Sequence, residues 1–315
     1  MQSRLIQGQY FYAKPFLKWA GGKRQLLCEI KKNLPKNIKD PNTIYFEPFL
    51  GGGSVFFYLK NKYPIKKSII SDINPELMLT YKCIQKDPEG IKKELKEMRE
   101  KYLRKCTFED KKDYYNSIRE TYNDNIYKIN LNKINEQDVK RAAQTIFMNK
   151  TCFNGLFRVN KEGKFNVPMG RYENPKIYDP DNIDEIHNVL NDNVIIKIQD
   201  YLEIEKNIKK NIAKNSFVYL DPPYRPINKT SSFTEYYKNG FTDDDQIRLC
   251  EFIQRLTKNG VNVMLSNSKT KDGFFEKHYS DQKIHPVKAR RNINSNGKKR
   301  NEIDELIITN YSINI

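Results

Sequence analysis

Asp221-Pro222-Pro223-Tyr224 sets an acid, two rigid residues and an aromatic ring in four consecutive positions. The Asp221 carboxylate and the Pro222 carbonyl accept hydrogen bonds, and Tyr224 offers a flat face. Two fixed acceptors beside a stacking ring suit a planar heterocycle that carries an amino group. The tetrapeptide equally suits a strand-ending turn, because Asp-Pro and Pro-Pro are common turn dipeptides. A second stretch, Glu47-Pro48-Phe49-Leu50-Gly51-Gly52-Gly53, is acidic and then glycine-rich. Asp72 lies about 20 residues past those glycines, where an α/β fold places a carboxylate that holds a ribose. A third, Phe16-Leu17-Lys18-Trp19-Ala20-Gly21-Gly22-Lys23, ends in Gly-Gly-Lys but is followed by Arg24. The G-x-x-x-x-G-K-[ST] spacing of a phosphate loop is therefore not met, which excludes a nucleoside triphosphatase. Three consecutive glycines likewise fail the Gly-x-Gly-x-x-Gly pattern of a nicotinamide site.

Such residues need strand ends to hold them. Thr43–Phe46, Ser68–Asp72, Val194–Gln199, Ser216–Leu220 and Val261–Ser266 are short apolar runs that predict strands. Lys283–Ala289 and Glu305–Thr309 flank a polar loop and predict an antiparallel pair. Ser54 is expected to cap a helix after the glycines, and Asp243–Lys258 reads as an amphipathic helix. Between Asp87 and about residue 149 the alternation stops for three helical stretches, near 87–104, 108–123 and 135–149. Residues 151–170 then predict a basic β-hairpin about Glu162-Gly163. The block reads as an insertion, with residues 1–86 and 177–315 forming the α/β domain and 87–176 a separate one.

The 315 residues include 56 Lys and Arg against 39 Asp and Glu, a net charge of +17. A chain this basic and rich in aromatics points to a polyanion, nucleic acid above all. Five scattered cysteines and three dispersed histidines match no metal or redox spacing, so no metal is expected. No run reaches membrane length and the start lacks a signal-peptide core, so a cytoplasmic protein away from membranes is expected.

Taken together the motifs resemble the adenine-specific DNA methyltransferases of the D12 class, the alpha group that includes the bacterial Dam enzymes. Phe16–Lys23, Glu47–Ser54, Ser71-Asp72-Ile73-Asn74, Asn154–Arg158 with Phe165–Gly170, and Asp221–Tyr224 occur in the family's order. So do Phe233-Thr234 with Tyr236, and Arg290-Arg291-Asn292-Ile293. The resemblance implies a Rossmann-like α/β fold, a seven-stranded methyltransferase sheet with a helical and β-hairpin target-recognition insertion. It also implies S-adenosyl-L-methionine as methyl donor, with S-adenosyl-L-homocysteine as product.

By that resemblance Trp19, Ala20, Gly21, Lys23, Glu47, Phe49, Gly51, Gly53, Asp72, Ile73, Asp200 and Tyr201 bind the cofactor. Asp221, Pro222, Pro223 and Tyr224 form the catalytic corner around a flipped adenine. Lys18, Phe153, Asn154, Leu156, Arg158, Pro168, Arg171 and Tyr172 contact double-stranded DNA, and the hairpin resembles that of GATC-reading members. The implied enzyme works as a monomer, with any cognate restriction endonuclease acting separately, in restriction–modification, DNA protection or mismatch-repair and replication marking. Two alternatives stay open at this stage: an RNA base or protein glutamine as acceptor, and a catalytically silent DNA-binding relative.

Overall fold

The computed structural model describes residues 5–6, 9–10, 12–208, 210–226, 241–290 and 302–313. Phe233, Thr234, Tyr236, Arg291, Asn292 and Ile293, named above as family positions, lie outside the described residues. Seven strands build the main sheet: β1 Ile44–Glu47, β2 Lys67–Asp72, β3 Val194–Ile198, β4 Ser216–Leu220, β5 Asn262–Ser268, β6 Lys283–Arg290 and β7 Glu302–Thr309. Their order is β3-β2-β1-β4-β5-β7-β6. Every residue of β1 and β4 is buried, as expected of central parallel strands covered on both faces. β1 pairs in parallel with β2 and β4, and β4 pairs in parallel with β5. β7 runs antiparallel to both β5 and β6. This is the α/β architecture expected from the sequence, closed by its antiparallel pair.

The chain forms two compact units. The first takes in the described parts of Met1–Gly22, Gly51–Asn61 and Asp72–Ile198. Its helices are α1 Ser54–Lys62, α2 Pro75–Lys86, α3 Pro88–Leu103, α4 Phe108–Asp124, α5 Glu136–Thr151 and α6 Pro180–Asn191. Asn74, Asp87, Thr107 and Asn135 cap α2 to α5 through side-chain oxygens. Ser54, expected as a cap, is instead the first helical residue of α1. Buried rings from Tyr81, Tyr102, Tyr115, Tyr122 and Phe147 fill the unit's interior. Arg141 of α5 reaches Glu76 of α2 at 2.8 Å and donates to the Tyr122 and Asn125 carbonyls. Breaking such a buried pair from one side typically costs about 3–5 kcal/mol.

The second unit takes in Lys23–Leu50, Lys62–Ser71 and the described part of Gln199–Ile315. Phe46, Val218, Leu220, Leu265 and Ile308 of its strands pack with Phe252, Ile253 and Leu256. Those last three lie on α7, Asp243–Lys258, which Thr242 and Asp245 close with a capping box. Cys28 and Cys106 are exposed, whereas Cys83, Cys152 and Cys250 are buried. Among the described residues no helix is long and apolar enough to cross a membrane, and no His, Cys, Asp and Glu cluster could hold a metal ion.

Candidate active site

In the first unit the glycines turn tightly where the chain leaves β1. Gly51 has φ +50, and a Cβ there would stand 2.8 Å from Trp19 Cδ1. Only glycine lets the indole lie against the turn. The Gly51 N–H donates to Asp72 Oδ2 at 3.1 Å, and the Asn74 N–H to Oδ1 at 3.0 Å. Tyr81 donates its hydroxyl to the Gly51 carbonyl at 3.2 Å. Burial pushes the Asp72 carboxyl above its usual range, and the N–H groups of Asn74, Gly51 and Ile73 pull it back. Trp19, Ala20 and Ile73 are half-buried, and Gly21 is exposed. Gly53 closes the turn with a positive φ.

In the second unit β4 delivers Asp221 at its carboxyl end, two strands from β2. Lys23 Nζ lies 2.7 Å from Asp221 Oδ1 and 4.5 Å from the centroid of the Tyr224 ring. Lys23 is only 5 % exposed, so its ammonium is buried against the Asp221 carboxylate. Burial pushes the Asp221 carboxyl up to about 6, Lys23 pulls it down, and Glu305 pushes it up again. Tyr224 donates to Glu305 Oε2 of β7 at 2.8 Å. The rest of the loop is held from behind. Gln246 donates to the Pro223 carbonyl and receives from Asn267, while Ser268 donates to the Arg225 carbonyl. Arg225 itself bridges Asp243 and Asp272, each at 2.6 Å.

Four more of the expected cofactor residues, Glu47, Phe49, Asp200 and Tyr201, belong to this unit. Glu47 is buried and accepts from Tyr45 at 2.6 Å. Phe49 stacks on Tyr201 with ring centroids 5.2 Å apart. Tyr201 is packed into the core. Asp200 caps the short helix Tyr201–Asn207 by accepting from the Leu202 N–H.

The expected hairpin is less regular than the sequence predicts. Only two isolated bridges join its arms, Cys152 with Met169 and Val159 with Phe165. A 3-10 turn over Phe153–Gly155, with Asn154 at φ 55, interrupts the first arm, and Pro168 supplies no N–H to the second. Alternation survives nonetheless: Phe157, Phe165 and Val167 are buried while Arg158, Asn166 and Pro168 are exposed. Phe153 stands 53 % exposed at the turn. Arg158 donates to Asn166 across the arms at 2.9 Å. Lys18 Nζ lies 4.1 Å over the Tyr172 ring, and Leu156 is half-buried. Arg171 departs from this group and lies over Phe108.

The structure thus gathers Trp19, Gly51 and Asp72 in one place, Lys23, Asp221 and Tyr224 in another, and Lys18 with Tyr172 in a third. Sequence reasoning missed Glu305, Gln246, Asn267 and Arg225. A lone acid on an antiparallel strand carries no local signal, and the other three act through contacts distant in sequence. Arg225 alone was legible in principle, as the residue that follows the tetrapeptide.

Comparison with known proteins gives the family. The model of the D12 class N6 adenine-specific DNA methyltransferases matches residues 19–293. The type II methyltransferase M.MjaIII of Methanocaldococcus jannaschii is 50% identical over 300 residues, 95% of this chain and 99% of that protein. The type II methyltransferase M1.LlaDCHI of Lactococcus lactis subsp. cremoris is 40% identical over 98% of this chain and 99% of its own. The DNA adenine methylase of Escherichia coli is 33% identical over 93% and 94%. With an acid–aromatic corner, a glycine turn facing a half-buried acid and a match over most of its length, the chain belongs to the D12 class of N6 adenine-specific DNA methyltransferases.

Proposed function

We propose that this adenine methyltransferase uses S-adenosyl-L-methionine to methylate the 6-amino group of an adenine flipped out of duplex DNA. The observation that carries the proposal is the corner at Asp221. An amino group, that of Lys23, already lies against the carboxylate and over the Tyr224 ring. On methyl transfer the adenine nitrogen would be transiently cationic in the same surroundings, losing one proton to give the neutral N6-methyl product as S-adenosyl-L-homocysteine leaves.

The residues of the first unit fit the methyl donor. The Gly51 turn is closed to side chains by Trp19, and Asp72, anchored on two N–H groups, would accept from the ribose hydroxyls. Trp19, Ala20, Gly21, Gly53 and Ile73 complete that wall; Glu47, Phe49, Asp200 and Tyr201 are the further cofactor residues of the proposal. Bound there, the cofactor supplies an activated methyl carbon.

Asp221 and the Pro222 carbonyl each accept one amino hydrogen and turn the nitrogen lone pair toward the methyl. Tyr224 stacks on the base, and Pro223 stiffens the loop. For the base to be accepted, the Lys23 ammonium withdraws from Asp221. Flipping costs a few kcal/mol, against about 7–11 kcal/mol available from holding the reacting atoms in attack geometry. Acceptors fixed in advance further favour the developing positive charge.

Residues 87–176 serve as the target-recognition part, and 1–86 with 177–315 as the catalytic part. Lys18, Asn154, Leu156, Arg158, Pro168, Arg171 and Tyr172 read or grip the duplex, and exposed Phe153 wedges into the stack. GATC is the proposed site, read by a monomer. A restriction–modification role, with a separate endonuclease, draws support from the type II names of two relatives. Modification-sensitive sequencing of DNA from cells expressing the chain tests the whole reading. N6-methyladenine within GATC is expected; methylated cytosine, or unmodified DNA in cells that hold the folded protein, overturns it, and N6-methyladenine at another site overturns GATC.

A further inference from the structure

Asn149 lies near the end of α5, 1 % exposed, and was singled out by no motif. Its carboxamide makes three hydrogen bonds. Oδ1 accepts from the Lys18 N–H at 2.7 Å, and Nδ2 donates to the Lys18 carbonyl and to the Gly155 carbonyl, each at 2.8 Å. The first two copy the N–H and C=O pair that a neighbouring strand would offer, so the backbone of Lys18 is pinned from both sides. The third holds the Phe153–Gly155 turn.

The packing around this clamp is equally close. Gly155 has φ +64, and a Cβ there would stand 2.7 Å from Lys18 Cβ. The Lys18 stem therefore lies directly on the turn, while its ammonium caps Tyr172. The next residue, Trp19, stacks on Phe157 of the first hairpin arm at 5.7 Å and covers Gly51. One buried amide thus fixes where the Lys18-Trp19 segment meets the turn that carries Phe153 and Asn154.

We propose that Asn149 is a positioning residue for target-site discrimination: by tying Lys18 to the Phe153–Gly155 turn it keeps two sets of base-contacting side chains in mutual register. The inference rests on the reading that Lys18 and the hairpin contact DNA. Alanine at 149 removes all three bonds. Aspartate keeps the acceptor for the Lys18 N–H but sets a negative oxygen against two carbonyls, so its effect should match or exceed that of alanine.

The test measures kcat/KM on a library of randomised duplex sites, cofactor affinity by equilibrium binding, and Tm. In Asn149→Ala, discrimination between the preferred site and its single-base variants is expected to fall by about tenfold, a scale set by one well-placed base contact. Cofactor affinity should change by less than about twofold, far below the effect of losing a charged hydrogen bond. In a Lys18→Ala background the same substitution should lose much less discrimination, since coupled residues are not additive. Should Asn149→Ala fail to fold, Asn149→Ser takes its place. Rates that fall equally at every site, or fully additive effects with Lys18→Ala, overturn the proposal and leave Asn149 a structural residue. Lys18→Ala and Arg158→Ala alone separate the two levels. If both leave discrimination intact, the DNA-contact reading fails; if both lower it while Asn149→Ala does not, only the clamp does.

Discussion

Asp72 and Asp221 leave the carboxyl ends of parallel strands on either side of β1, yet they are held in opposite ways. Asp72 is gripped by backbone N–H groups of Gly51 and Asn74. Asp221 faces side chains, the Lys23 ammonium and the Glu305 carboxyl. Burial is the first cause of the upward displacement of both acids. Backbone donors stay as long as the turn is folded, whereas an ammonium on a flexible stem leaves by changing rotamer. The difference supports the proposal that the fixed acid binds the cofactor and the exchangeable acid the incoming base.

The strongest way to break that contrast is Asp221→Ala. Methyl transfer in a single-turnover assay should drop by at least about 10²–10³-fold, the cost of losing one preorganised transition-state interaction. Cofactor binding should survive, and near-normal turnover would rule the proposed chemistry out. Asp72→Ala should do the reverse. Cofactor affinity is expected to fall about 10–100-fold, the worth of a charge-assisted hydrogen bond; calorimetric titration reads it. An unchanged affinity would remove Asp72 from the ribose.

Arg158→Ala touches neither acid and so sharpens the contrast from outside. It should relax site preference by about 1–3 kcal/mol for each guanine the guanidinium no longer grips, read on the same site library, with cofactor affinity unmoved. Equal selectivity would remove Arg158 from base reading.

The smallest effect is a pair of opposite pH shifts. The accepting form of Asp221 is the carboxylate, so activity is present above its pKa and is lost as pH falls through about 6. Lys23 favours that form; Lys23→Met should move the acid limb of kcat/KM up by about one unit. Glu305→Gln removes a like charge and should move it down. Tyr219 and Tyr45 also feel the Asp221 charge, but burial first holds both phenols protonated across this range. Two shifts of the same sign would show that the limb belongs to another group.

Much of this was legible in the chain. The five strands read from apolar runs and the antiparallel pair stood out because the central strands are largely apolar and end at turn residues. Asp221 and Asp72 were legible because each ends such a strand. The occupant of the corner was not: Lys23 sits beside glycines that suggest a loop, and nothing local aims its amine at Asp221. The hairpin was overread, since exposed Arg158 and buried Phe157 alternate as a strand would while Asn154 and Pro168 interrupt the ladder. Asn149 was invisible for a different reason: an asparagine near a helix end has no pattern until its three carbonyl and amide partners are in place.

The thiols offer a practical return. Burial lifts Cys152 up to about 12 and Cys250 up to about 11, and Cys83 higher still. Maleimide dyes at neutral pH should therefore pass these three by. The two accessible thiols, Cys28 and Cys106, fall one in each compact unit. The unaltered polypeptide thus carries a ready pair of attachment points for donor and acceptor fluorophores, and energy transfer between them would report whether the halves move when duplex is added.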